Sequence, residues 1–111
     1  MNKICTSIEQ SKKLIELGID RKTSDMYYWC GEDLRIGGYK AQDEEYDVSA
    51  WSLSALLDLM PVYGYYPELC RGRETHLYYM WIEDTFDTQT FDNPIDAAFE
   101  MVCWILENKK I

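Results

Sequence analysis

The sequence predicts an α+β fold: a single two-layer domain with three helices packed on a small antiparallel sheet of about four strands, in the order α-β-β-α-β-β-α. Three observations carry this prediction. Apolar or amphipathic stretches with recognisable end signals stand at the beginning, middle and end of the chain; pairs of short aromatic-rich runs lie between them; and no internal repeat or low-complexity linker intervenes. At 111 residues the chain suits one compact domain, taken as 1–111, and is too short for two of ordinary size. With 47% hydrophobic and 14% aromatic residues, an excess of 20 acids over 11 bases does not imply disorder.

Thr6 and Ser7 precede Glu9 and Gln10 at capping-box spacing, and Gly18 follows the last apolar residue, so a first helix is expected over 7–17. Ile8, Ser11, Leu14, Ile15 and Leu17 share the side that faces a core. The run Met26-Tyr27-Tyr28-Trp29-Cys30 has the aromatic richness of a strand, and 34–39 can return beside it. Residues 42–47, with Asp43, Glu44, Glu45 and Asp47, read as a solvated loop in which no known pattern supplies the convergent oxygens of a cation site.

Ser49 is expected to cap a largely buried helix over 51–60, which Pro61 stops. Residues 62–72, rich in Tyr, Pro and Gly, read as an irregular connection. The following stretch, 76–82, has apolar residues on both faces, as in a central or covered strand. Glu83 and Asp84 then turn it into a more exposed antiparallel partner over 85–91. A last helix over about 95–108 is capped by Asp92 or Asn93, with Pro94 in its favoured first-turn position.

On that last helix Asp96, Glu100, Cys103 and Glu107 form a narrow polar stripe, while Ile95, Ala98, Val102 and Ile105 face the main core. Trp104, with Ala97 and Met101, points away from that core. Either a second element covers this flank, or it is an apolar patch for a partner subunit, so a monomer or a weak homodimer is expected.

The acidity is uneven: residues 41–108 hold fourteen acids against two bases, Arg71 and Arg73. Such a charge repels phosphate backbones, so direct nucleic-acid binding is not expected. Acidity serves solubility, and it also suits imitation of DNA towards a DNA-binding protein. No apolar run approaches the roughly 18 residues of a membrane span, and 1–6 lacks the layout of a secretory signal, so no membrane association and a cytoplasmic location are expected. There the four cysteines, Cys5, Cys30, Cys70 and Cys103, would be reduced thiols. With no C-x-x-C and one histidine, no metal site and no cofactor are expected.

A thiol or hydrolytic site would have to use His76 with Cys30, Cys70 or Cys103, although a strand histidine more commonly has a hydrogen-bonded packing role. Glu83, Asp84 and Asp87 could do acid–base work only if buried, and a solvated turn is the commoner role. Tyr63, Tyr65 and Tyr66, followed by Arg71 and Arg73, form a candidate recognition patch, joined by Trp104 if its flank is open. The alternative is that the tyrosines wrap the core with their hydroxyls at the surface.

The stretches AWSLSALLDLMP at 50–61, DNPIDAAFEMVCWILENKK at 92–110 and ICTSIEQSKKLIELGID at 4–20 resemble a group of small acidic proteins from gut bacteria and their phages. The resemblance implies a shared fold that includes Trp51, Leu56, Pro94 and Trp104, and it transfers no activity, cofactor or site. Three functions are therefore expected in order: a non-catalytic cytosolic module that binds a protein partner, an acidic inhibitor of a nucleic-acid-binding protein, and a small hydrolase or thiol enzyme using His76.

Overall fold

Helix α1 spans Ile8–Glu16 in the computed structural model, which describes residues 3–30, 32–37 and 47–108. Of the two overlapping capping boxes, the chain uses the second. Ser7 Oγ accepts from Gln10 N at 3.1 Å, and Gln10 Oε1 accepts from Ser7 N at 3.0 Å. Thr6 is released for the interior, where its hydroxyl meets Ser11 Oγ at 2.7 Å and accepts from Trp51 N at 3.1 Å. The helix ends at Gly18 (φ 102°) in a Schellman motif: Gly18 N donates to Ile15 O, Ile19 N donates to Leu14 O, and Leu14 and Ile19 are both buried.

A short 3-10 turn at Arg21–Thr23 leads into β1 (Met26–Trp29), which pairs antiparallel with β2 (Asp33–Ile36), as expected. A third strand, β3 (Val48–Ala50), joins the other side of β1 in the order β2-β1-β3. Ser49 therefore pairs with Tyr27 inside the sheet and does not cap a helix. Small residues such as Ser and Ala carry little strand propensity of their own, so β3 forms because β1 supplies its ladder. Asp47, expected in a solvated loop, is buried and accepts from Cys30 N at 2.9 Å, holding the left-handed Cys30 (φ 50°) at the end of β1. Asp43, Glu44 and Glu45 lie outside the described residues.

Helix α2 spans Leu53–Val62, two residues later than expected, with Ser52 as its cap. Pro61 does not stop it. Leu56, Leu59 and Met60 are buried, and their packing holds the last turn helical despite the donor that Pro61 lacks. The stop is Gly64 (φ 83°), whose N–H donates to Pro61 O while Tyr65 N donates to Met60 O, a second Schellman motif.

Strand β4 (Glu68–Arg71) lies within the stretch expected to be irregular; it pairs with β5 (Tyr78–Ile82), and β5 pairs with β6 (Phe86–Asp87). Among the described residues six strands thus form two three-stranded antiparallel sheets, where about four strands in one sheet were expected. His76 is not in a strand: it is exposed and left-handed (φ 59°) in the β4–β5 loop.

Helix α3 spans Pro94–Asn108, with Asn93 as its cap and Pro94 opening its first turn. It packs on α2 and on one face of the second sheet, so Ala97 and Met101 are as buried as Ile95, Ala98 and Ile105. The Trp104 flank is covered from within the chain. Phe86 stacks on the Trp104 ring at 4.8 Å and 8°, and Tyr65 meets it edge-on at 5.7 Å. The first sheet joins through β3 against α1, with Cys5, Met26 and Ala50 forming a smaller apolar cluster of their own. The result measures 41 × 37 × 18 Å, its short axis close to the thickness of two layers. Among the described residues no helix is long and apolar enough to cross a membrane.

Candidate functional site

Strand register decides which side chains the second sheet offers to solvent. In β5 the residues Tyr78, Met80 and Ile82 share one face; Met80 is fully buried there, and Ile82 and the Phe86 beside it pack on the main core. Tyr79 and Trp81 take the opposite face with their partners Cys70, Glu68 and Asp87. Glu68 and Asp87 are exposed, and Trp81, Tyr79 and Cys70 are half-buried. The expectation of a central or covered strand therefore holds through the central place of β5 in its sheet, while its outer face is only half-buried. Trp81 Nε1–H donates to Cys70 Sγ at 3.2 Å, which orients the indole on that surface.

The segment after α2 runs beside this face. Its Schellman turn throws Tyr65 back onto Trp104 and leaves Tyr66 78% exposed. Between Tyr66 and Trp81 lies a cleft of about 330 Å³, walled by Tyr65 and Ile82 and edged by the carboxylates of Glu68 and Glu83. Two further clefts adjoin it. One, of about 300 Å³, shares Tyr65 and Tyr66 and runs over Leu57, Met60, Pro61 and Leu69. The other, of about 580 Å³, shares Trp81 and Glu83 and is edged by Asp84 and Asp87. The three together present four carboxylates and no basic side chain, and none of the four forms a salt bridge among the described residues.

The candidate residues read from sequence separate. Tyr65 and Tyr66 belong to this site, and Tyr63 is half-buried against the main core. Arg71 and Arg73 lie at the other end of the β4–β5 hairpin, about 10 Å further along the strand. There Arg71 Nε donates to His76 O at 3.4 Å and the guanidinium lies 5.6 Å from the Tyr78 ring centroid, so it braces the hairpin loop. Trp104 is partly buried against the main core, under Phe86 and Tyr65. Sequence reasoning missed Trp81 and Glu68, and the signal available was the alternation within 78–82, which places Tyr79 and Trp81 together on one side of a short strand.

A second groove, of about 590 Å³, lies between α1 and α3 over Phe99 and Cys103. Lys3, Gln10 and Asp96 in its lining are already engaged with one another. Lys3 Nζ and Gln10 Nε2 donate to Asp96 Oδ1 at 2.7 and 2.8 Å, and Asn93 Nδ2 donates to Asp96 Oδ2 at 2.8 Å. Burial alone would raise the Asp96 carboxyl, but these bonds and the Lys3 charge outweigh it and hold the group below its ordinary value. Cys103 is pushed up to about 11, by burial first and then by Glu107, against the weaker opposing pull of Lys13. A thiol held there is a poor nucleophile at neutral pH. Among the described residues no His, Cys, Asp and Glu side chains converge as a metal site.

Compared with protein-family models, curated proteins and solved structures, the chain matches none of them.

Proposed function

We propose that this chain is a non-catalytic protein-interaction module of the cytoplasm, working through the outer face of the second sheet and the cleft between Tyr66 and Trp81. One observation carries the reading: an exposed Tyr66 and a half-buried Trp81 flank an open cleft whose acidic residues, Glu68 and Glu83, form no salt bridge among the described residues. Aromatic side chains that bury much area at low rotamer cost are the usual anchors of protein contacts. The resemblance to proteins of gut bacteria and their phages supports a host protein as the partner.

Affinity capture from a host lysate with the tagged full chain tests this. A protein retained by the wild type, lost with Tyr66→Ala or Trp81→Ala and kept with Arg73→Ala is the expected result. Retention indifferent to both ring substitutions, or no retained protein, overturns it. Competition of the retained protein by DNA would instead favour the acidic inhibitor, in which charge and not ring contact provides the binding.

A further inference from the structure

We infer that the Tyr66–Trp81 cleft takes a lysine or arginine side chain from an extended segment of the partner, with an apolar residue of that segment seated next to it. This rests on the interaction reading and gives it a chemistry. The cleft is lined by the rings of Tyr65, Tyr66 and Trp81 together with two acidic residues, Glu68 and Glu83. An apolar occupant alone would strip water from those carboxylates and offer nothing in return. An anionic one would be repelled by them. A long cationic side chain satisfies both parts: its methylene stem lies along the rings, its head group meets the ring faces, and the carboxylates accept its hydrogen bonds.

The volume is consistent, since about 330 Å³ exceeds what one lysine or arginine side chain needs. The indole is held ready by its bond to Cys70, so binding does not have to order that ring. The neighbouring clefts extend the specificity in two directions. On the Tyr65 side the lining turns apolar at Leu57, Met60 and Leu69, whereas on the Trp81 side it turns acidic at Asp84 and Asp87. A segment crossing all three would therefore read as an apolar residue, then a cation, then a further basic or polar residue.

The test uses the uniformly ¹⁵N-labelled full chain and three blocked hexapeptides that differ at one position beside a leucine: lysine, norleucine or glutamate. The lysine peptide is expected to shift the Trp81 indole N–H and the amides of Gly64, Glu68 and Glu83, and to bind about tenfold more tightly than the norleucine peptide. The glutamate peptide should leave the spectrum unchanged. In the Glu68→Gln/Glu83→Gln variant, whose substituted side chains are exposed, lysine and norleucine peptides should bind alike. Norleucine binding as tightly as lysine to the wild type overturns the inference, as does a lysine-peptide response spread over acids remote from the cleft, or none at all. Failure here with a lysate partner still lost on Tyr66→Ala removes the cationic ligand and leaves the interaction module standing.

Discussion

Trp104 changes its meaning once its neighbours are known. On a helical wheel it lies far from the main apolar stripe, and in the fold it is clamped between Phe86 and Tyr65. Trp104→Ala is expected to cost about 3 kcal/mol in urea unfolding through the cavity it leaves, whereas Trp81→Ala, on the solvent face, should cost clearly less. Asp96 predicts a pH effect of definite sign. Its native carboxyl titrates below the ordinary 3.8, so its stabilising contribution is present above that value and is lost as the pH falls through the lower native one. Urea midpoints followed from neutral to acid pH should show this loss in the wild type, and Asp96→Asn should remove that part of the dependence. The thiols are also ranked: alkylation followed by mass spectrometry should find exposed Cys30 modified first, with buried Cys5 and the raised Cys103 last.

Among the elements, α1 and α3 show how far local signals reach. At α1 Ser7 and Gln10 cap each other reciprocally, at α3 Asn93 Oδ1 accepts from Asp96 N while Asn93 Nδ2 donates to Asp96 Oδ2, and Gln10 joins the two ends by donating to Asp96 Oδ1. Ser7→Ala and Asn93→Ala should each cost about 1 kcal/mol. Because one bond links the two caps, a double-mutant cycle on urea stability should show coupling, and strict additivity would exclude the link. These helices, the β1–β2 pair and the β5–β6 hairpin are legible in sequence because caps, glycines and aromatic runs act within a few residues. Strands β3 and β4 are not, since Val-Ser-Ala and Glu-Leu-Cys-Arg have no pattern that marks a strand until a partner supplies the ladder. Pro61 misleads for the same reason: a local rule against proline yields to the burial of Leu59 and Met60 beside it.

At the scale of the molecule, the described helices and sheets form a thin body, and the chain's formal charge is −9. Lys3–Asp96 is the one salt bridge among the described residues, against twenty acids and eleven bases in the chain, so repulsion between like charges is the larger electrostatic effect. Raising the sodium chloride concentration should therefore raise the urea midpoint by screening that repulsion, while weakening any capture that depends on the acidic cleft. A midpoint that falls with salt would mean that attractive pairs dominate.

The sequence alone determined the α+β class, the three helices with their apolar faces, and the concentration of acids and rings after residue 60, because each depends on composition or on contacts within one or two turns. Only the tertiary structure decided that Trp104 is covered, that Arg71 and Arg73 stand apart from the tyrosines, and that Trp81 meets Tyr66 across a cleft with Glu68 and Glu83. Those relations join residues on separate strands and loops, and strand register, which no local pattern encodes here, sets which of them share a face.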